Sequence, residues 1–360
     1  MCYQKTSYMK KRIVTITLTT LAIVLVGVGF IIYGVLNDSR LTAARSITLI
    51  DEGLYTMTYR GDYGFDAFLA QGGASTDAAM GQYVANYLMQ GFGATSAPDT
   101  TAEMGCSTFI VRNERNVMMG RNFDFPQAGK VMIVKSQPDS GYSSVSTACL
   151  DFMGMPAEWQ PDGDIPSRMA ALTALYLPLD GINEMGLMVA DLVNGDEEET
   201  HQCTDKPDIT TTTAIRLLLD KASTVDEAVE LLMQYDMNTS IGTSHHIAIA
   251  DASGRSVVAE YIEGELVVTP TDIVTNHYLA PGPKCGVGNE LSHERFTTIA
   301  HLCSIMPIET SPQRVMEILQ QASYPQYTQW SVVFDADLCE ARYVWKSGFE
   351  KEPFVISVFN

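Results

Sequence analysis

From position 105 onward the chain alternates groups of short apolar strands with pairs of amphipathic helices, and this order limits the fold more than any other feature. Strands are predicted over 106–111 and 117–121, with a polar turn between them that reads as a hairpin. Further strands fall at 131–134, 144–150 and 186–193. A helix with an apolar stripe follows over 211–222, and Thr224 with Glu227 then forms a capping box for a second. Strands return at 246–250 and 256–261 around the turn sequence Asp251-Ala252-Ser253-Gly254. A helix over 292–306 and another capped by Ser311, with Pro312 at its first position, precede strands at 331–334, 341–345 and 354–358. Strand groups joined by hairpin-length turns and separated by helix pairs predict an α+β fold, with antiparallel sheets covered by helices.

The N-terminal part is of another kind. Residues 13–36, opening at Ile13 and closing at Leu36, carry neither charge nor proline. As a helix they would extend roughly 36 Å, enough to cross a hydrocarbon core of about 30 Å. Lys5, Lys10, Lys11 and Arg12 precede the run. The expectation is therefore a cytoplasmic tail over 1–12 and a transmembrane signal-anchor helix over 13–36. The body would then be extracellular, held at the cell membrane by a single pass. Between this run and Cys106, Thr76 can cap a helix whose Ala79, Met80, Tyr83, Val84 and Leu88 share one face. Residues 91–101 are rich in Gly, Ser, Pro and Thr and read as a linker.

Forty-three acidic residues against twenty-three basic ones give a formal charge of −20, which repels phosphate backbones and argues against nucleic acid as a partner. The seven cysteines include no CxxC and no compact Cys/His cluster, so neither a metal site nor another cofactor is expected. His245 and His246 are adjacent in a predicted strand, so their rings point to opposite faces and cannot share a metal. There is no GxSxG, no phosphate-binding GxxxxGK[ST] and no HExxH. A papain-like Cys–His pair would need one of His201, His277 or His301, none of which sits in a supporting motif.

One constellation remains. Gly105-Cys106-Ser107-Thr108 is followed by Gly120-Arg121-Asn122-Phe123-Asp124-Phe125. Further on come Asp180-Gly181-Ile182-Asn183-Glu184-Met185-Gly186-Leu187, then Val274-Thr275-Asn276, then His293-Glu294-Arg295-Phe296. These blocks, in this order, resemble the choloylglycine hydrolase and penicillin V acylase family, linear-amide hydrolases of the N-terminal-nucleophile superfamily.

The resemblance implies an αββα sandwich over 106–360, preceded by a mostly helical, propeptide-like segment over 37–105. It implies self-cleavage between Gly105 and Cys106, after which Cys106 supplies both a thiol and an α-amine. Such an amine has a pKa of about 7.7–8.0, suited to taking the thiol proton. By the same resemblance Asp124 would orient the amine, Arg121 would lower the thiol pKa, Asn276 would donate to the oxyanion, and Arg295 would complete the polar cluster. A second oxyanion group falls at Val193 by a gapless count, with Asn194 one residue beyond. Strand alternation puts Arg121 and Asp124 on opposite faces, so both could face Cys106 only if the chain bent after Asn122. The implied activity is hydrolysis of a small-molecule N-acyl substrate such as a bile-salt conjugate, penicillin V or an N-acyl amino acid. Acyl transfer to an amine and a surface-anchored binding module without turnover are the alternatives, and self-association is left open.

Overall fold

The computed structural model describes residues 38–89, 105–114, 116–126, 129–196, 198–307 and 309–359. In chain order it contains α1 (Ser39–Ser46), β1 (Thr48–Asp51), β2 (Leu54–Arg60), α2 (Phe65–Ala70), α3 (Asp77–Tyr87), β3 (Gly105–Arg112), β4 (Val117–Asp124), β5 (Val131–Gln137) and β6 (Ser144–Cys149). Then come α4 (Ile165–Ala170), β7 (Asp180–Asn183), β8 (Met188–Val193), β9 (Asp208–Thr210), α5 (Thr211–Lys221), α6 (Val225–Leu232), β10 (Asp236–Asn238), β11 (His245–Ala250), β12 (Ser256–Ile262) and β13 (Glu265–Pro270). The remainder is β14 (Ile273–Val274), α7 (Glu290–Ser304), α8 (Pro312–Gln321), β15 (Thr328–Asp335), β16 (Glu340–Trp345) and β17 (Phe354–Ser357).

Two sheets face each other. One has nine strands in the order β1-β2-β5-β6-β7-β8-β11-β12-β13, the other six in the order β14-β3-β4-β15-β16-β17. Three apolar cores separate four layers. Met132, Val134, Val189 and Ile247 of the nine-stranded sheet pack against Phe68, Val84, Leu218 and Ala228 of the helices outside it. Ile133, Ile182 and Leu192 meet Met119, Phe123 and Val332 between the sheets. Phe109, Met118 and Val333 pack beneath Ile299, Val315 and Leu319 of α7 and α8. The period-2 alternation of each strand feeds two cores at once, and so the expected αββα sandwich forms.

Several expectations change. The stretch read as one strand over 186–193 is β8 alone, and a turn holds β7 to it. Asn183 closes that turn, its Oδ1 accepting from the N–H groups of Met185 and Leu187 at 3.0 Å each. The helix expected over 292–306 begins at Glu290, because Asn289 caps it by accepting from Ser292 N–H at 2.8 Å. Glu227 supports α6 by bonding Ser223 N–H at 2.7 Å, while Thr224 accepts from Glu227 N–H at 3.2 Å.

The described residues ahead of Cys106 carry strands as well as the helices α1, α2 and α3. This segment contributes β1 and β2, and β2 pairs in parallel with β5 from Leu54↔Val131 to Arg60↔Gln137, in a nine-stranded sheet otherwise antiparallel. Its apolar residues satisfy an edge that β5 would expose, a tertiary demand that the helical spacing after Thr76 does not reveal. The linker read over 91–101 lies outside the described residues, as does the transmembrane helix expected over 13–36.

The membrane placement is corrected. Among the described residues no helix is long and apolar enough to cross a membrane. The longest, α7, has 15 residues. That is about 22 Å at 1.5 Å per residue, short of a bilayer core of about 30 Å.

Candidate active site

Cys106 is the second residue of β3 and is buried. On one side β3 is paired along its length by β4, from Gly105↔Asp124 to Arg112↔Val117. On the other, β14 pairs only Thr108 and Phe109. The N–H of Cys106 is therefore free of the ladder, and it donates to Asn276 Oδ1 at 2.6 Å.

The alternation of β4 then sorts its polar residues. Val117, Met119 and Phe123 face the space between the sheets, and Arg121 lies with them. Asn122 faces the other way, donating to the carbonyl of Leu319 on α8 at 2.8 Å, and Asp124 faces α7. No bend after Asn122 is needed, since β4 runs unbroken through Asp124. The thiol and the backbone nitrogen of Cys106 are served from opposite faces of the sheet, by Arg121 and by the Asp124 cluster respectively.

On the thiol side Arg121 is wholly buried. Its Nη2 donates to the carbonyl of Asp191 at 2.8 Å, and its Nε lies 3.4 Å from Asp180 Oδ2, which also accepts from Trp330 Nε1 at 2.9 Å. On the nitrogen side Arg295 bridges two partners. Nη1 meets Asp124 Oδ2 at 2.5 Å and Nη2 meets Asn276 Oδ1 at 2.6 Å. Thr328 donates to the second oxygen of Asp124 at 2.6 Å. Asn276 Nδ2 donates to the carbonyl of Val193 at 2.7 Å, so it is committed to that carbonyl rather than open to an oxyanion. A Cβ on Gly105 would stand 2.9 Å from Arg295 Nη1 and 3.3 Å from Asp124 Cβ. The glycine before Cys106 thus leaves room for the guanidinium.

Burial pushes the Cys106 thiol above its ordinary value; Arg121 pulls it down, and Asp124 and Asp191 push it up.

A cavity of about 30 Å³ opens beside the thiol. Phe123, Phe152, Leu179, Leu192, Val193 and Ile241 give it apolar walls; Asp191, Thr212 and His245 are among its polar lining. Asp191 and His245 were not anticipated as site residues. They meet because β8 and β11 pair with Val193 opposite His245, and Asp191 Oδ1 then lies 2.8 Å from His245 Nδ1. No local signal carries that register. Burial lowers the His245 pKa, and the Asp191 carboxylate more than compensates, so the net shift is upward. His246 points to the other face and bonds Glu260 at 3.0 Å.

The structure thus gathers Cys106, Arg121, Asp124, Asn276 and Arg295. Asn194 is not among the residues lining the cavity. It is fully buried beyond the end of β8, and its side-chain amide has no partner among the described residues. The β8–β11 register runs from Met188 to Val193 with no bulge that would bring it forward.

Cys106 thus lies on an inner strand of two face-to-face sheets with helices outside both. Residues 106–277 match the family of linear amide C-N hydrolases, choloylglycine hydrolase family. Penicillin V acylase from Pectobacterium atrosepticum is 32% identical over 100 residues, 25% of this chain and 26% of that protein. The match thus spans about a quarter of the length of that curated relative. A mutant conjugated bile acid hydrolase from Clostridium perfringens superposes with a TM-score of 0.50 at 16% identity, over 70% of this chain and 92% of that one. Penicillin V acylase from Agrobacterium tumefaciens gives 0.49 at 20% identity, over 70% and 86%. At 16% identity the bile acid hydrolase structure speaks to the fold alone. Gly105, Arg295 and the whole of 38–89 lie outside the matched residues.

Proposed function

We propose that the chain is a cysteine amidohydrolase that first cleaves itself between Gly105 and Cys106 and then hydrolyses a linear amide of a small N-acyl compound. One observation carries the reading. Asn276 Oδ1 holds the Cys106 nitrogen at 2.6 Å on one face of β3, while the thiol lies beside Arg121 on the other.

In the first reaction the thiol attacks the Gly105 carbonyl, the acyl group passes from nitrogen to sulfur, and water cleaves the thioester. Gly105 ends as a carboxylate and Cys106 as a free amine. Burial of the thiol then has a remedy, because the new amine, placed by Asn276 and Arg295, is the base that removes its proton. In turnover, sulfur attacks the substrate carbonyl, the proton held by the amine passes to the leaving nitrogen, and the amine product departs. Water then releases the carboxylic acid and restores the thiol. For Asn276 to stabilise the oxyanion, Nδ2 has to leave the Val193 carbonyl, and a donor there is worth about 10²–10³ in rate. Bile-salt conjugates, penicillin V and N-acyl amino acids are the substrate types this chemistry suits.

Residues 38–89 are read as a propeptide-like part that stays in place. Losing β2 would expose β5 along seven paired positions and strip Tyr59, Phe68 and Val84 from the core. The test is the intact mass of the purified protein beside Cys106→Ala. Two pieces divided at Gly105–Cys106 in the parent, with an unbroken and inactive variant, are expected. An uncut parent that still hydrolyses amides would sink the proposal.

A further inference from the structure

One wall of the cavity beside Cys106 is held in a strained conformation by the part of the chain ahead of the cysteine. Ile241 and Gly242 are successive left-handed residues, with φ 53° and 71°. Gly242 adopts that conformation freely. A β-branched side chain crowds its own backbone there, so Ile241 would relax if its loop were let go. Ser240 keeps the loop in place, because each of its polar groups is engaged. Its N–H donates to Thr211 Oγ1 at 3.0 Å, and its carbonyl accepts from His245 Nε2 at 3.1 Å. Its hydroxyl donates to Asp77 Oδ1 at 2.8 Å. Beyond Gly242, Thr243 Oγ1 donates to the carbonyl of Asp196 at 2.8 Å. Of these anchors Asp77 alone lies ahead of Cys106, in the first turn of α3. Burial raises its pKa; the Ser240 hydroxyl, the charge of His245 and the Ile241 N–H oppose the shift.

Ser240 and Ile241 both line the cavity, which at about 30 Å³ admits about two groups the size of a water molecule. A larger group therefore needs a wall to move. Phe123, Leu192 and Val193 stand on buried sheet strands, whereas Ile241 stands half-buried on a strained loop and is the wall that yields. We propose that Asp77 is a specificity-determining latch: through Ser240 it holds Ile241 against the cavity and limits the size of group that reaches the Cys106 sulfur. Asp77 and Ser240 fall on opposite sides of Gly105–Cys106, so the latch works only while the two pieces stay together. Its bearing on substrate choice rests on the amidohydrolase reading, but the latch itself can be read without turnover.

Alkylation of Cys106 in the purified protein tests this, followed by peptide mass spectrometry so that the exposed Cys203 and Cys285 are scored apart. Iodoacetamide and N-benzyl iodoacetamide carry the same reacting carbon and differ in bulk. In Asp77→Ala the wall opens more easily by about one hydrogen bond to a carboxylate, so the ratio of the benzyl rate to the iodoacetamide rate should rise about tenfold or more. Ser240→Ala removes the other end of that bond and should match it, and the double variant should add nothing further. Tyr83→Phe removes a different bond of the same helix, the one donated to Gly64 O at 2.7 Å, and should leave the ratio as in the parent. A ratio unmoved in both alanine variants, a Cys106 unlabelled in all of them, or an equal rise in Tyr83→Phe overturns the latch. A shifted ratio in a protein that hydrolyses no amide upholds the latch and overturns the amidohydrolase reading; amide hydrolysis with the ratio unmoved does the reverse.

Discussion

At the scale of the residue, Gly105 and Cys106 are coupled through Arg295. The guanidinium is pinned between Asp124 and Asn276, and it occupies the place a Gly105 side chain would need. Displacing a packed group costs about 1–3 kcal/mol, so Gly105→Ala should slow self-cleavage by roughly tenfold or more, read from gel time courses of freshly translated chain. The thiol adds a pH dependence whose sign follows from its environment. Burial raises its pKa while the chain is intact, and the deprotonated form attacks. The cleavage rate should therefore keep climbing with pH past the ordinary thiol value of about 8.5. A rate that levels off below pH 8 would mean that Arg121 dominates burial.

At the scale of the element, α7 brings Arg295 to Asp124 and Asn276. The helix is capped by Asn289, whose side chain accepts from Ser292 N–H at 2.8 Å. Asn289→Ala should cost about 1 kcal/mol. That corresponds to a fall in Tm of roughly 2–4 °C by differential scanning calorimetry. An unchanged Tm would show that tertiary packing of Ile299 and Leu302 holds the first turn without its cap. Strand β4 illustrates what was legible at this scale. Its alternation correctly separates Arg121 from Asp124, yet reading both as needing to face one side chain overlooked that Cys106 offers a sulfur and a nitrogen in different directions.

At the scale of the whole molecule, the part before Cys106 is built into the nine-stranded sheet and its outer helices. Tyr59, Tyr63 and Phe68 are buried there, Arg168 donates to the carbonyls of Ala44 and Ile47 at 3.1 Å each, and Trp345 Nε1 donates to Glu52 O at 2.9 Å. Once cut at Gly105–Cys106, the two pieces should elute together in native size-exclusion chromatography and separate only in denaturant. Release of the N-terminal piece under native conditions would show that β2 is dispensable to the folded catalytic part.

The sequence alone determined the α+β class and most of its strands and helices, because period-2 alternation and helix caps are encoded locally. The layered sandwich and the candidates Cys106, Arg121, Asp124, Asn276 and Arg295 came from the resemblance of short motifs. Tertiary structure alone decided three matters. It set β2 beside β5, it brought Asp191 to His245 through the β8–β11 register, and it turned Asn276 Nδ2 toward Val193. Each depends on which distant strand or loop lies adjacent, and adjacency across a sheet leaves no periodic trace in either partner's own sequence.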